Sequence, residues 1–274
     1  MIKLAFFLVI LTTGGWLSLA TLERQAIYPF DATRVTPQAA GATGVREVVQ
    51  THDGEIAIVW VAAPKPGKPV ILYFHGNAGN LALRAGRFNH FTARGYGLIA
   101  PAYRGSSGST GTPTEAALTA DALRLYADLG ALIPGLTPAR VIFYGESLGT
   151  GVALELAATT RQAQPAGVVL EAPYTSLPDV VRASLPRLAP LIPKMTNIWD
   201  SATHVKALRA PLLVLHGKQD PLIPIAQGRA VFRAAGSRQK WFVAVRGAGH
   251  HNVWRSTVMP RLWSFIDDQS ASMR

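Results

Sequence analysis

Ser147 stands between two glycines in FYGESLGTG (143–151), directly after the apolar run at 141–144. Glycine before and after a residue lets the backbone turn sharply from a strand into a helix, where larger side chains collide. Such a turn leaves the serine hydroxyl exposed above a sheet. A neutral hydroxyl is a poor nucleophile, so it needs a histidine to take its proton and a carboxylate to fix and stabilise that imidazole. Asp220 follows the run LLVLHG (212–217), and His250 follows WFVAV (241–245) through Gly-Ala-Gly. Read in chain order, Ser147, Asp220 and His250 are the candidate nucleophile, acid and base of an acyl transfer. The tetrahedral intermediate of that reaction carries an oxyanion, which fixed backbone N–H groups can stabilise. Leu148, next to the serine at a helix N-terminus, and Asn77, in the glycine-containing loop HGNAGN (75–80), are the candidate donors.

Other residues of the same types compete for these roles. Glu171 ends another apolar run and is the reserve acid, whereas Glu146 is expected to face solvent or pack locally. Asp220 could instead cap the helix after it, but its place at a strand end favours the acid role. His251 adjoins His250 and is expected at the pocket rim. His75 and His216 precede glycines at strand ends, where they are expected to bond loop backbone; His52, His90 and His204 have no constellation around them. No metal-ligand spacing appears, and the chemistry calls for no metal or organic cofactor.

The elements that must position these groups are legible as β-rich runs at 45–51, 55–62, 70–74, 97–102, 140–144, 168–171, 212–215 and 241–245. The inner runs are continuously apolar, the pattern of parallel strands covered on both faces. The first two, joined at Asp53-Gly54, read as an antiparallel hairpin at an edge. The expected fold class is α/β, a mostly parallel, doubly wound sheet of eight strands. Ligands in such sheets sit beyond the carboxyl ends of the strands, where the candidate residues fall.

A chain of 274 residues, 49% of them hydrophobic, can bury one large core. It lacks cysteine, which removes disulfides and thiolate chemistry. The 27 Lys+Arg against 16 Asp+Glu give a charge of +11, but the basic residues are scattered and no nucleic-acid motif accompanies them. They read as a solvated surface, able to favour anionic lipid, with no nucleic-acid partner expected. At the N-terminus, residues 4–22 carry no charge, Lys3 precedes them and Glu23 ends the run. Residues 1–22 are thus expected to be a membrane anchor that leaves the catalytic domain outside the cytoplasm. The alternative is a signal peptide cut after Ser18-Leu19-Ala20, giving a secreted or periplasmic protein that starts at Thr21.

The set YFHGNAGN, APAYRGSSGSTGTPTE, FYGESLGTG, LEAPYTS, LVLHGKQDPLIP and GAGHHN resembles the membrane-associated α/β-hydrolase-domain serine hydrolases, a group described as serine aminopeptidase-like or lysophospholipase-like. The likeness covers about residues 28–266 and implies the α/β-hydrolase fold, with the triad and oxyanion positions named above. His251-Asn252 stands where those relatives more often read Asn-Asp.

Residues 28–274 are therefore expected to form the hydrolase domain, with a short helical cap insertion at about 175–209. Prolines at 178, 186, 190 and 193 forbid one long helix there. Its Leu, Ile, Met and Trp residues either form an apolar lid for an acyl chain or simply pack the cap onto the domain. The expected activity is serine-dependent cleavage of a carboxylic ester or thioester with an apolar, lipid-like acyl group at or near a membrane surface. A serine aminopeptidase-like peptidase is the alternative, and a non-catalytic binding module the remote one. Oligomeric state is not legible in the sequence.

Overall fold

The computed structural model describes residues 19–271. Residues 1–18 of the expected anchor or signal segment, 1–22, lie outside the described residues, and 19–22 fall in the first described helix; among the described residues, no helix is long and apolar enough to cross a membrane.

Eight strands form one sheet: β1 (Arg46–His52), β2 (Glu55–Ala62), β3 (Val70–Phe74), β4 (Gly97–Pro101), β5 (Val141–Glu146), β6 (Gly167–Glu171), β7 (Leu212–Gly217) and β8 (Lys240–Val245). Their spatial order is β1-β2-β4-β3-β5-β6-β7-β8. β3 through β8 pair in parallel, whereas β2 pairs antiparallel with both β1 and β4. The edge hairpin turns at Asp53 and Gly54, both with positive φ (53° and 79°), the two left-handed residues a tight hairpin turn requires.

Successive side chains of a strand point to opposite faces, so a continuously apolar strand feeds two cores. β3 shows this, with Val70, Leu72 and Phe74 in one core and Ile71 and Tyr73 in the other, all five fully buried. Residues 19–27 form a helix, α1. It is followed by α2 (Ala85–Ala93), α3 (Glu115–Ala127), α4 (Leu129–Leu132) and α5 (Leu148–Thr159). Helices α6 (Leu177–Ser184), α7 (Ser201–His204), α8 (Ile225–Ala234) and α9 (Met259–Ala271) are the remaining α-helices among the described residues. α3, α5 and α8 cover one face, and α2 and α9 the other. Burying each large aliphatic or aromatic side chain contributes about 1.5–3 kcal/mol, which makes these two layers the main source of stability.

Between β6 and β7 the chain breaks into short pieces, as the prolines require. Pro178 lies in the first turn of α6, where its missing N–H costs nothing. The segment Pro186–Lys194 then continues as a 3₁₀ helix containing Pro190 and Pro193. Its apolar residues divide between buried and exposed. Trp199 is fully buried in the core with Tyr174 and α5, whereas Leu185, Leu188 and Leu191 remain partly exposed.

Candidate active site

The turn from β5 into α5 holds Ser147 at φ 50°, ψ −115°, a strained conformation for a residue with a side chain. Its neighbours explain why only glycine fits beside it. A Cβ on Gly145 would lie 2.6 Å from the Gly149 carbonyl oxygen, and one on Gly149 would lie 2.1 Å from that of Phe74. The Ser147 N–H donates to Glu171 O at 2.9 Å, tying the turn to the end of β6.

The three residues singled out from the sequence meet at the carboxyl edge of the sheet. Ser147 Oγ lies 2.9 Å from His250 Nε2, and His250 Nδ1 lies 2.8 Å from Asp220 Oδ2. Asp220 Oδ1 accepts from the N–H groups of Leu222 (2.9 Å) and Ile223 (2.8 Å), so the carboxylate also closes the turn that leads to α8. Burial pushes the Asp220 carboxyl up, but the hydrogen bonds from His250, Ile223 and Leu222 outweigh it and hold the group below the usual carboxylate range. An ionised Asp220 fixes the His250 tautomer with Nδ1 protonated and Nε2 free to accept from Ser147. The acid and histidine loops are joined by Gln219 N–H to Ala248 O (2.9 Å), and Asn252 Oδ1 accepts from Gly249 N–H (2.7 Å). His251 is exposed and packs edge-on against the His250 ring, 4.8 Å between centroids.

Both candidate oxyanion donors border the same cavity as Ser147. Leu148 is the first residue of α5, so its N–H has no carbonyl one turn earlier in the helix to bond. Asn77 follows β3, and its side-chain amide donates to Ile27 O at 3.1 Å, at the end of α1.

His75 and His216 bond loop backbone, as expected, through Nδ1 to Gly76 O (2.7 Å) and Nε2 to Ile223 O (2.8 Å). Burial, reinforced by Arg84, lowers the His75 imidazole to about 3 and keeps it neutral; burial also lowers His216. Glu171 is not an alternative acid. Its carboxylate accepts from Arg87 (2.5 and 3.0 Å), from the Tyr144 hydroxyl (2.6 Å) and from Trp254 Nε1 (3.1 Å), and none of its bonds reaches His250. Nor does Glu146 face solvent. It pairs with Arg84, through Nε to Oε2 at 3.2 Å and Nη2 to Oε1 at 3.1 Å, and accepts from the Tyr73 hydroxyl at 2.7 Å. Burial would raise this carboxyl, but Arg84 and Arg87 hold it at about 2. Arg84 also donates to Ala78 O and Asn80 O, so one guanidinium braces the loop of Asn77 against the residue preceding Ser147. Sequence reading passed over Arg84 and Arg87, because isolated arginines on a helix resemble a solvated face.

The cavity at Ser147 measures about 530 Å³ and is lined mainly by aliphatic side chains. One wall comes from α6 and the 3₁₀ segment, with Val181, Leu188 and Ile192 among them; another comes from α1, with Leu19 and Leu22.

The model of the family described as alpha/beta hydrolase fold matches residues 69–206. An uncharacterized Mycobacterium tuberculosis protein, MT2364, is 31% identical over 249 residues, covering 89% of this chain and 86% of its own. The rat lysophosphatidylserine lipase ABHD12 is 29% identical over 219 residues, 71% of this chain and 54% of the relative, so the chain spans about half the length of that enzyme. Among solved structures, a Pyrococcus furiosus esterase superposes with a TM-score of 0.73 at 16% identity, covering 88% of this chain and 96% of the other, a likeness of fold. With an eight-stranded sheet of this topology, a family match through its centre and a relative aligned over most of its length, the chain belongs to the α/β-hydrolase family.

Proposed function

We propose that this protein is a serine hydrolase that cleaves a carboxylic ester or thioester with an apolar acyl group through an acyl-enzyme intermediate. The observation that carries the reading is the hydrogen-bonded chain Ser147–His250–Asp220 opening directly onto an apolar cavity. Ser147 Oγ attacks the acyl carbonyl as its proton passes to His250 Nε2, and Asp220 stabilises the imidazolium. The N–H groups of Leu148 and Asn77 take the oxyanion, an interaction whose loss costs about 3–4 kcal/mol in related chemistry. The tetrahedral intermediate collapses, breaking the bond to the leaving group, which takes the proton from His250 Nε2. Water then gives a proton to the same nitrogen as it attacks the acyl-enzyme; the second tetrahedral intermediate breaks the acyl–Oγ bond, Ser147 Oγ takes the proton back from His250 Nε2, and the acid leaves. The segment between β6 and β7, about 175–209, acts as the cap that holds the acyl chain.

The name of the rat relative, a lysophosphatidylserine lipase, points to a monoacyl lipid as the substrate class. The lining supports an apolar acyl group over a peptide. Glu23 is the cavity's carboxylate able to meet a peptide amino group, and it is already occupied by the N–H groups of Thr196 and Asn197. Proximity to a membrane rests on the uncharged sequence at 4–22.

A panel of p-nitrophenyl esters from acetyl to dodecanoyl, run beside aminoacyl p-nitroanilides, tests the reading. Esters are expected to be cleaved, medium and long acyl groups best, with anilides orders of magnitude slower. Anilide cleavage that outpaces every ester would replace this assignment with a peptidase.

A further inference from the structure

Five cavity-lining residues belong to α1: Leu19, Leu22, Glu23, Ala26 and Ile27. Their spacing, three then one, repeated, is that of a single helical face. Thr21, Arg24 and Gln25 occupy the other side, which gives the helix a polar back. Resting on the hydrolase reading above, we propose that α1 is a substrate-selecting wall of the acyl site. The acyl chain lies between this face and the cap segment.

Three observations support this placement. First, large apolar side chains are left uncovered on both sides of the cavity: Leu22 is 61% exposed, Leu185 49%, Leu188 45% and Leu191 42%. Uncovered leucines facing one another across a single cavity mark a surface that an apolar ligand completes. Second, the helix is fastened at a fixed distance from the cap. Glu23 Oε1 accepts from Thr196 N–H and Asn197 N–H at 2.9 Å each, and Oε2 accepts from the Thr196 hydroxyl at 2.8 Å. Just beyond the helix, the Tyr28 hydroxyl donates to Asn197 Oδ1 at 2.8 Å and accepts from Trp199 Nε1 at 3.0 Å. Third, the helix ends at the catalytic centre, where Ile27 O accepts from the Asn77 side chain. A wall fixed at its middle and its carboxyl end holds a straight acyl chain without having to be ordered by it, and each methylene it covers is worth about a fourfold gain in kcat/KM.

The test compares Leu22→Asp with Gln25→Asp, which places the same charge on the polar back of the same helix. Two quantities are read: the ratio of kcat/KM for p-nitrophenyl decanoate to that for the acetate, and the affinity for dodecanoic acid by calorimetry. Leu22→Asp is expected to lower both at least tenfold, and Gln25→Asp to change neither by more than about twofold. Ala26→Trp, which fills the cavity instead of charging its wall, is a second variant expected to lower both. Equal effects of Leu22→Asp and Gln25→Asp, or no effect of Leu22→Asp and Ala26→Trp, overturn the proposal. If the unaltered protein cleaves no ester, the hydrolase reading fails by itself. Dodecanoate binding then decides the role of α1: weaker binding by Leu22→Asp sustains it, and undiminished binding removes it.

Discussion

At the scale of single residues, the site is defined by hydrogen bonds that each have one sensible donor and acceptor. Asp220 takes two backbone N–H groups on Oδ1 and His250 on Oδ2, which leaves His250 Nε2 as the nitrogen facing Ser147. His251 touches His250 as a neighbouring ring. His250→Ala is therefore expected to lower kcat by about 10³–10⁶-fold, and His251→Ala by less than about tenfold, measured by steady-state hydrolysis of a p-nitrophenyl ester. A reversal of the two would move the base by one position. Ser147, Asp220 and His250 were legible because each follows an apolar run, and in a parallel sheet those runs all end on one edge. Glu171 could be ranked below Asp220 but not dismissed from sequence, since it too ends a strand. The guanidinium of Arg87, 84 positions away, together with the Tyr144 hydroxyl and Trp254 Nε1, shows that its carboxylate is committed elsewhere.

At the scale of elements, the inner strands were legible nearly to their ends, because burial on both faces leaves no polar alternation to mislead. The turn at Gly145-Glu146-Ser147-Leu148-Gly149 was equally plain, since a Cβ at either glycine would collide with backbone. The buried ion pairs were hidden because they join partners 62 and 84 residues apart: Arg84, just before α2, to the end of β5, and Arg87, on α2, to the end of β6. The role of α1 was hidden for a different reason. Its apolar face continues the uncharged run before it, so sequence merges the two into one segment.

Those buried groups make stability depend on pH with a fixed sign. His75, at the end of β3, has its imidazole lowered from 6.5 to about 3 by burial, and Glu146, at the end of β5, is held near 2 against an ordinary 4.5. In both cases the unfolded chain binds more protons than the folded one within the window between the two values, so stability is lost as pH falls. His216, also lowered, acts in the same direction. The melting temperature is expected to fall from pH 6.5 downward and more steeply below 4.5. His75→Asn is expected to flatten the upper part of that fall. Circular dichroism melts between pH 7.5 and 4 check it, and a melting temperature constant from 7.5 to 5 would contradict the buried, neutral His75.

At the scale of the whole molecule, the fold, the family and the chemistry point to the same edge of the sheet. The two cores pack β5, β6, β7 and β8 side by side, and the turns at their carboxyl ends bring Ser147, His250 and Asp220 into one hydrogen-bonded chain. An apolar cavity then meets that edge, built from α6 and the 3₁₀ segment on one side and α1 on the other. The central claim is that Ser147 is the residue acylated in turnover. Incubation with a fluorophosphonate followed by peptide mass spectrometry tests it most directly. The account predicts one adduct, on Ser147, that is absent from a folded Ser147→Ala variant and forms more slowly when an excess of a long-chain ester competes during labelling. Stoichiometric labelling at another residue, or undiminished labelling of Ser147→Ala, would contradict it.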